Sequence, residues 1–321
     1  MSARTAIRAA IGIGVSVAAI ALLLEAVDLS GTADRLATLQ PGWLLVAPAA
    51  LAVQLAIRSW RWAFLIETAT GTRVRATRVV APLTVGYLAN ALLPARLGEI
   101  ARAILVARRE RLGVGLVLGS VVVERALDLA ALLTLGIATT GLAVVGWPAI
   151  AIGAALVVGQ GVLVKAAPVV SRWTDRVAPT RLRAPIADFL DSVAAVGLRA
   201  SFMVVALSGL AWLGDVALMW AAGRALGIEL GLAAAVAIAV GAALGTALPA
   251  AGGYIGTYEA GAVAVGVLAG TPPDAALAIA VVAHVLAVVP VALLGAVAVA
   301  WTGLPLDRTG EAAAGPSPAS A

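Results

Sequence analysis

The chain has 321 residues, of which 62% are hydrophobic and only 12% are charged, and its formal net charge at pH 7 is +5. Soluble domains are about 45–50% apolar and about 25% charged, so this composition excludes an ordinary soluble protein and indicates an integral membrane protein. The absence of cysteine and the presence of a single histidine, His284, exclude a disulfide framework, thiolate chemistry and a clustered zinc site.

The first predicted helix runs roughly over residues 6–24, and a retained helix is favoured over a cleaved signal peptide because no small-residue cleavage site follows it. An acidic loop, about 25–41, leads to a second helix at roughly 43–66. Arginines precede the first helix and end the second. Because positive charge marks the cytoplasmic side, the N-terminus is predicted to be cytoplasmic, and Arg58 and Arg61 are expected to snorkel to the inner surface.

The third apolar segment, 79–93, has only about 15 residues, which is short for a full crossing. Arginines flank it on both sides, beginning with Arg78 before it and Arg96 after it. A full crossing would place one of these clusters outside. We therefore predict a re-entrant hairpin at about 79–111, which enters from the cytoplasmic face and turns at 90–94.

Predicted helices three to five cover roughly 113–145, 149–166 and 202–222, with an arginine-rich cytoplasmic loop at about 166–200 that contains an amphipathic interfacial segment. The apolar stretch 232–270 is cut by one proline and three glycines, and is predicted to be a second re-entrant hairpin, entering from the outer face. A sixth helix, roughly 274–301, returns the chain to the cytoplasm. The small, polar tail 304–321 is expected to be disordered.

These elements predict an all-α polytopic membrane protein built from two units, 1–145 and 146–303. Each unit has the order crossing, crossing, hairpin, crossing, so the second unit is inverted relative to the first. The prediction is six spanning helices plus two re-entrant helical hairpins, with eight helices if the hairpins span. Both termini are expected to be cytoplasmic, in an inner or plasma membrane.

Polar residues gather at the first break in the apolar pattern. Ionisable side chains inside a membrane are costly and indicate function, and the planar guanidinium group suits phosphate. The predicted substrate-binding residues here are Asn90, Arg96, Glu99 and Arg102, with Pro94 and Gly98 as hinge positions. The alternative is that these charges lie at the cytoplasmic interface and pair with one another.

A second charged set, Glu124, Arg125 and Asp128, lies within predicted helix three. Arg125 and Asp128 are close neighbours on one helix face. They either form a structural ion pair, or Arg125 binds a phosphate while the acids orient it. The sequence leaves both interpretations open.

The second break resembles the first, with Tyr254, Tyr258 and Glu259 as predicted substrate-binding residues. Glu259 is expected either to pair with an arginine of the first break or to exchange a proton. The predicted hinge and backbone positions are Pro249, Gly252, Gly253 and Gly256, although close helix packing would also explain the glycines. Asp215 and His284 are expected to form hydrogen bonds between helices.

Three motifs together resemble the flippase-like transmembrane region of lysylphosphatidylglycerol synthases. They are N-x-x-x-P-x-R-x-G-E-x-x-R at 90–102, E-R-x-x-D at 124–128 and PAAGGYIGTYE at 249–259. The resemblance covers roughly 43–301 and implies movement of aminoacylated or glycosylated lipids between leaflets. The chain lacks the aminoacyltransferase domain of the full synthases, so it is not expected to aminoacylate lipid.

The predicted function is therefore translocation of a phosphate-bearing lipid, with Arg96, Arg102 and Arg125 holding the phosphate. We expect no catalytic residues, metal or cofactor, because the sequence lacks a phosphate-binding glycine loop and a nucleophile elbow. The expected partner is a membrane phospholipid or lipid-linked substrate, with no nucleic acid. The alternatives are a lipid-binding scaffold for a separate lipid-modifying transferase, and an integral-membrane glycosyl- or phosphotransferase.

Overall fold

A computed structural model describes residues 3–93, 96–140 and 179–302, with a few single positions between 159 and 176. Within these ranges the regular structure is entirely helical, so the all-α prediction is confirmed. Predicted helix four, the tail 304–321 and Pro94 lie outside the described residues. The described α-helices are α1 (Ala3–Ala26), α2 (Leu29–Ala37), α3 (Val46–Thr70), α4 (Ala76–Leu92), α5 (Leu97–Glu110), α6 (Val114–Thr140), α7 (Thr180–Ala195), α8 (Leu198–Ala225), α9 (Leu232–Ala247), α10 (Thr257–Leu268) and α11 (Pro273–Thr302).

Among the described residues, three helical stretches are long and apolar enough to cross a membrane: Pro41–Thr70, which is α3 with its leading 3₁₀ turn, α8 and most of α11. Helices α1 and α2 together form a fourth candidate, but they meet at a bend of 90°. Helix α6 has 27 residues and carries three charged side chains near its middle. The count of six crossings stays a prediction, because its fourth helix lies outside the described ranges.

Helix α2 corrects the predicted loop at 25–41. Asp28 starts this helix by accepting a hydrogen bond from the backbone N–H of Ser30 at 3.0 Å, which satisfies one of the free donors of the first turn. The Arg35 Nε then donates to Asp274 at 2.7 Å and ties α2 to the start of α11. The charges that indicated a loop therefore cap the helix and attach it to the protein.

Two helix pairs correspond to the predicted hairpins, and each pair packs through glycine. A Cβ atom on Gly98 of α5 would lie 1.9 Å from the carbonyl oxygen of Gly86 on α4. A Cβ on Gly261 of α10 would likewise lie 2.2 Å from the carbonyl oxygen of Gly241 on α9. Only glycine allows the two backbones to approach so closely.

The breaks that follow α4 and α9 lie against each other. A Cβ on Gly252 would lie 2.8 Å from the carbonyl oxygen of Ala91, at the end of α4. Helix α1 closes one side of the second break, because the Ser16 hydroxyl accepts a hydrogen bond from the Ala251 N–H at 3.0 Å. The two interrupted segments are therefore in direct contact.

Replacement of Gly261 by Leu is expected to destabilise the protein by about 1–3 kcal/mol or more, since overpacking a tight contact forces backbones apart. The measurement is the thermal unfolding midpoint of the purified protein in detergent. Gly209, within α8, is the matched control, because a Cβ there meets nothing within 4 Å. A Gly261→Leu variant as stable as Gly209→Leu would contradict the close packing of α9 on α10.

Candidate functional site

A cavity of about 370 Å³ lies between the two helix pairs. Its wall includes Ala91 at the end of α4 and Gly253 in the second break, and it is completed by α3, α6, α8 and α11. Leucine, alanine and valine side chains supply much of the surface. The charged residues on the wall are Arg58, Arg96, Glu99, Arg125, Asp128 and Asp215.

Arg61 is the centre of a buried ion network behind this wall. Its guanidinium group donates to Glu124 and to Asp128 at 2.6 Å each and to the Ser208 hydroxyl at 2.5 Å, and its side chain is 0% exposed. The prediction that Arg61 snorkels to the inner surface is wrong. Two carboxylates on α6 hold the guanidinium group inside the protein, where a buried charge requires paired and hydrogen-bonded partners.

Arg102 belongs to the same network. It donates to Glu99 at 2.7 Å and to Glu124 at 2.9 Å, and its guanidinium carbon lies 4.4 Å from the centre of the Trp62 ring. The side chain is 2% exposed and does not border the cavity. Glu99 does border it, so Arg102 acts on the cavity through the carboxylate that it fixes.

The prediction that Arg58 snorkels is also wrong. The Arg58 Nη2 donates to Asp215 of α8 at 2.9 Å, its side chain is 14% exposed, and the Trp212 ring centre lies 5.6 Å from its guanidinium carbon. The three side chains border the cavity together. Asp215 therefore forms the expected interhelical hydrogen bond and also contributes to the wall.

Arg125 lies where the network meets the cavity, and its side chain is 30% exposed. It donates to Glu124 at 2.8 Å, and its Nη1 lies 3.6 Å from Asp128. Four donors on the cavity-lining residues have no hydrogen-bond partner in the described structure: the Gln54 Nε2, the Arg58 Nε, the Arg125 Nε and the Tyr87 hydroxyl. Arg125 is thus paired with acids, as one interpretation expected, and its Nε lies 3.9 Å from Glu99 without forming a hydrogen bond. Phosphate binding by Arg125 stays a prediction.

Arg96 and Tyr254 connect the two breaks. The Arg96 side chain donates to the carbonyl oxygen of Thr246 at the end of α9, and its guanidinium carbon lies 5.6 Å from the centre of the Tyr254 ring. Both residues have left-handed backbones, with φ values of 55° and 59°. Such conformations are costly for residues other than glycine and are often found at functional sites.

Glu259 contacts His284 instead of an arginine, which corrects one of the two predicted roles. Its Oε1 lies 2.6 Å from the His284 Nδ1, and its Oε2 accepts a hydrogen bond from the Gly256 N–H at 2.8 Å. Tyr258 stacks on the imidazole with ring centres 4.1 Å apart. Tyr258 and His284 border the cavity, whereas Glu259 lies behind them.

The other predicted positions have different neighbours. Asn90 borders the cavity, and its Oδ1 accepts a hydrogen bond from the Gly98 N–H at 2.9 Å, which joins α4 to the first turn of α5. Gly256 has a φ of 86°, and Pro249 lines a smaller cavity that shares Arg96 and Tyr254 with the main one. Within the described ranges, no three acidic or histidine side chains are grouped as a metal site would require.

The predicted binding set omitted several wall residues with charged or aromatic side chains. Asp215 and His284 could have been included, because both are ionisable residues in apolar helices. Arg58 carries no comparable signal, since an arginine near a helix end is common at membrane interfaces. Tyr87 and Trp212 lie within helices, where an aromatic side chain most often serves packing. Their roles depend on which helices are neighbours.

Comparison with known families gives one match: a family model described as "Lysylphosphatidylglycerol synthase TM region" matches residues 9–295. No curated protein matches the chain, and neither does any solved structure.

Proposed function

Because the chain belongs to the lysylphosphatidylglycerol synthase TM region family, we propose that this membrane protein moves a phosphate-bearing lipid between leaflets. The head group would occupy the cavity between the two helix pairs while the acyl chains remain in the bilayer. The proposed lipid is anionic or phosphate-bearing, with or without a modification or sugar on its head group.

The observation that carries this proposal is that four residues lining the cavity hold buried donors without hydrogen-bond partners among the described residues. They are the Gln54 Nε2, the Arg58 Nε, the Arg125 Nε and the Tyr87 hydroxyl, and a small side-chain movement would bring them to a bound head group. A buried donor without a partner costs about 1–3 kcal/mol. A phosphate group offers several acceptor oxygens and a charge that suits the planar guanidinium group.

The charges around the cavity favour an anion as well. The cavity wall and the arginine network behind it contain five arginines and four carboxylates, so they carry one positive charge in excess. The adjacent Glu259–His284 pair leaves this excess in place when the imidazole is protonated and cancels it when the imidazole is neutral. With the imidazole protonated, the excess attracts an anionic head group. Asn90, Tyr254 and Tyr258 would contact the remainder of the head group.

Movement would follow from the two broken helix pairs. We propose that they are re-entrant hairpins of an inverted repeat, entering from opposite leaflets, with both termini in the cytoplasm. Broken helices of this kind surround the sites of many transporters, and one repeat rocks against the other. Gly253, Gly256 and the segment around Pro94 would serve as hinges.

The test is a flipping assay in proteoliposomes that contain fluorescent phosphatidylglycerol, with an impermeant quencher added outside. Arg125→Gln is expected to slow flipping about 10–150-fold, because a charge-assisted hydrogen bond contributes about 1.5–3 kcal/mol. Arg109→Gln is the matched control, since that side chain is 47% exposed and does not border the cavity. Equal rates for the two variants would reject the proposed site, and lipid binding without flipping would favour a scaffold.

A further inference from the structure

His284 and Glu259 form an isolated acid–base pair beside the cavity. Their side chains are 9% and 12% exposed, and the Nδ1–Oε1 distance is 2.6 Å. The carboxylate is fixed by the Gly256 N–H, and the imidazole is fixed by stacking on Tyr258. His284 itself borders the cavity, so water or a bound molecule can reach it there.

This pair is separate from the arginine network. Among the described residues, Glu259 forms an ion pair with His284 and with no arginine. Helix α9 packs on α10 and carries no titratable residue. Helix α2 contributes Arg35, which is bonded to Asp274, ten positions before His284 on α11. Four other helices pack around α11, and each places one titratable or charged group on the cavity wall. These groups are Tyr87 on α4, Tyr258 on α10, Asp215 on α8 and Arg58 on α3.

We infer that the Glu259–His284 pair is a proton-binding site that couples proton movement to binding of the anionic head group, an inference that rests on the proposed function. In the deprotonated state of this proposal, neutral imidazole donates its Nδ1–H to the carboxylate 2.6 Å away, and the pair has a charge of −1. One proton added at the second ring nitrogen gives an imidazolium–carboxylate pair with no net charge. Release of that proton restores the first state.

The linkage has a definite sign. An anion in the cavity is repelled by the pair when its charge is −1 and is not repelled when the pair is neutral. Anion binding therefore favours the protonated pair, and protonation favours anion binding to the same extent, because thermodynamic coupling is reciprocal. A proton and an anionic head group consequently enter together.

The first test uses the fact that the sequence has one histidine. Full-length protein, purified through a tag without histidine and labelled with ¹⁵N-histidine, gives a single imidazole signal in nanodiscs. On replacing phosphatidylcholine by a mixture with phosphatidylglycerol, the titration midpoint of this signal is expected to rise by about half a unit or more. Arg125→Gln, measured in the same nanodiscs, retains the surface-charge effect of the lipid and should show a smaller rise.

Equal rises in the wild-type protein and in Arg125→Gln would overturn the inference, because the head-group site would then have no influence on His284. Absence of any imidazole titration from pH 5 to pH 9 would also overturn it. These measurements need only folded wild-type protein and one cavity variant, so they do not depend on the folding of a histidine variant.

The second test imposes a pH gradient across the flipping assay. Wild-type flipping into the more alkaline compartment is expected to accelerate several-fold, and the ratio of rates with and without the gradient should fall to one in His284→Gln. Asp274→Asn removes a carboxylate that is bonded to Arg35, away from the cavity, and should keep the wild-type ratio. A wild-type flipping rate that is the same with and without the gradient overturns this inference alone. Absence of wild-type flipping under every condition overturns the proposed function.

Discussion

Replacement of Arg61 by Met is expected to lower the free energy of unfolding by about 3–5 kcal/mol, which is the usual cost of removing one partner from a buried ion pair. Arg61 is fully buried and bridges Glu124 and Asp128 on α6. Without it, these carboxylates retain other arginines but lose two hydrogen bonds of 2.6 Å. The measurement is the thermal unfolding midpoint of purified protein in nanodiscs, with the yield of monodisperse protein as a second readout.

Arg78→Met is the matched control for this prediction. The Arg78 side chain is 54% exposed and bonds Glu110 at 3.2 Å, so its loss should cost about 0–1 kcal/mol. The double variant Arg61→Met with Glu124→Gln should lose less free energy of unfolding than the two single variants lose together. Residues in contact within one network do not contribute independently. Equal stability of Arg61→Met and Arg78→Met would show that Arg61 does not hold α3 to α6.

A covalent link between the two breaks is expected to abolish flipping. The sequence contains no cysteine, so Leu92→Cys with Ala251→Cys introduces one reactive pair at the facing ends of α4 and the second break. A short, cleavable bis-maleimide should reduce flipping to the rate of protein-free liposomes, because the breaks could no longer separate as the repeats rock. Cleavage of the linker should restore the initial rate.

The controls for this experiment are the two single-cysteine variants treated with the same reagent. They carry the same chemical groups but no link, so they should keep most of the unmodified rate. Undiminished flipping by the linked protein would mean that the lipid passes without any separation of the two breaks.

The helical architecture and the position of the breaks could be read from the sequence, because they depend on local signals. Apolar runs give the helices, and the proline and glycine residues around 90–98 and 249–256 interrupt them. Of the glycines at close backbone contacts, Gly98 and Gly252 were among the predicted positions, whereas Gly241 and Gly261 were not. Helix α2 was missed because Asp28 and Arg35 were interpreted as loop charges, although an aspartate before a short polar run is also a helix cap.

The pairing of the buried charges could not be read in the same way. Arg58 and Asp215 are 157 positions apart in the chain, and Arg61 and Glu124 are 63 apart. Neither periodicity nor a motif predicts which arginine forms an ion pair with which acid, because the pairing depends on how α3 packs against α6 and α8. An arginine near the end of an apolar helix is usually an interfacial residue, and here packing overrides that tendency.

The Arg61–Glu124 pair also has a consequence for how the protein is made. Helix α6 carries three charged residues, each of which costs about 2.5–3.5 kcal/mol at the centre of a lone inserted helix. Arg61 leaves the ribosome 63 residues before its acidic partner, which at about 5–20 residues per second is an interval of roughly 3–13 seconds. We therefore expect the α3 segment to remain beside the insertion machinery until α6 has been made, so that the two segments enter the lipid as a paired unit.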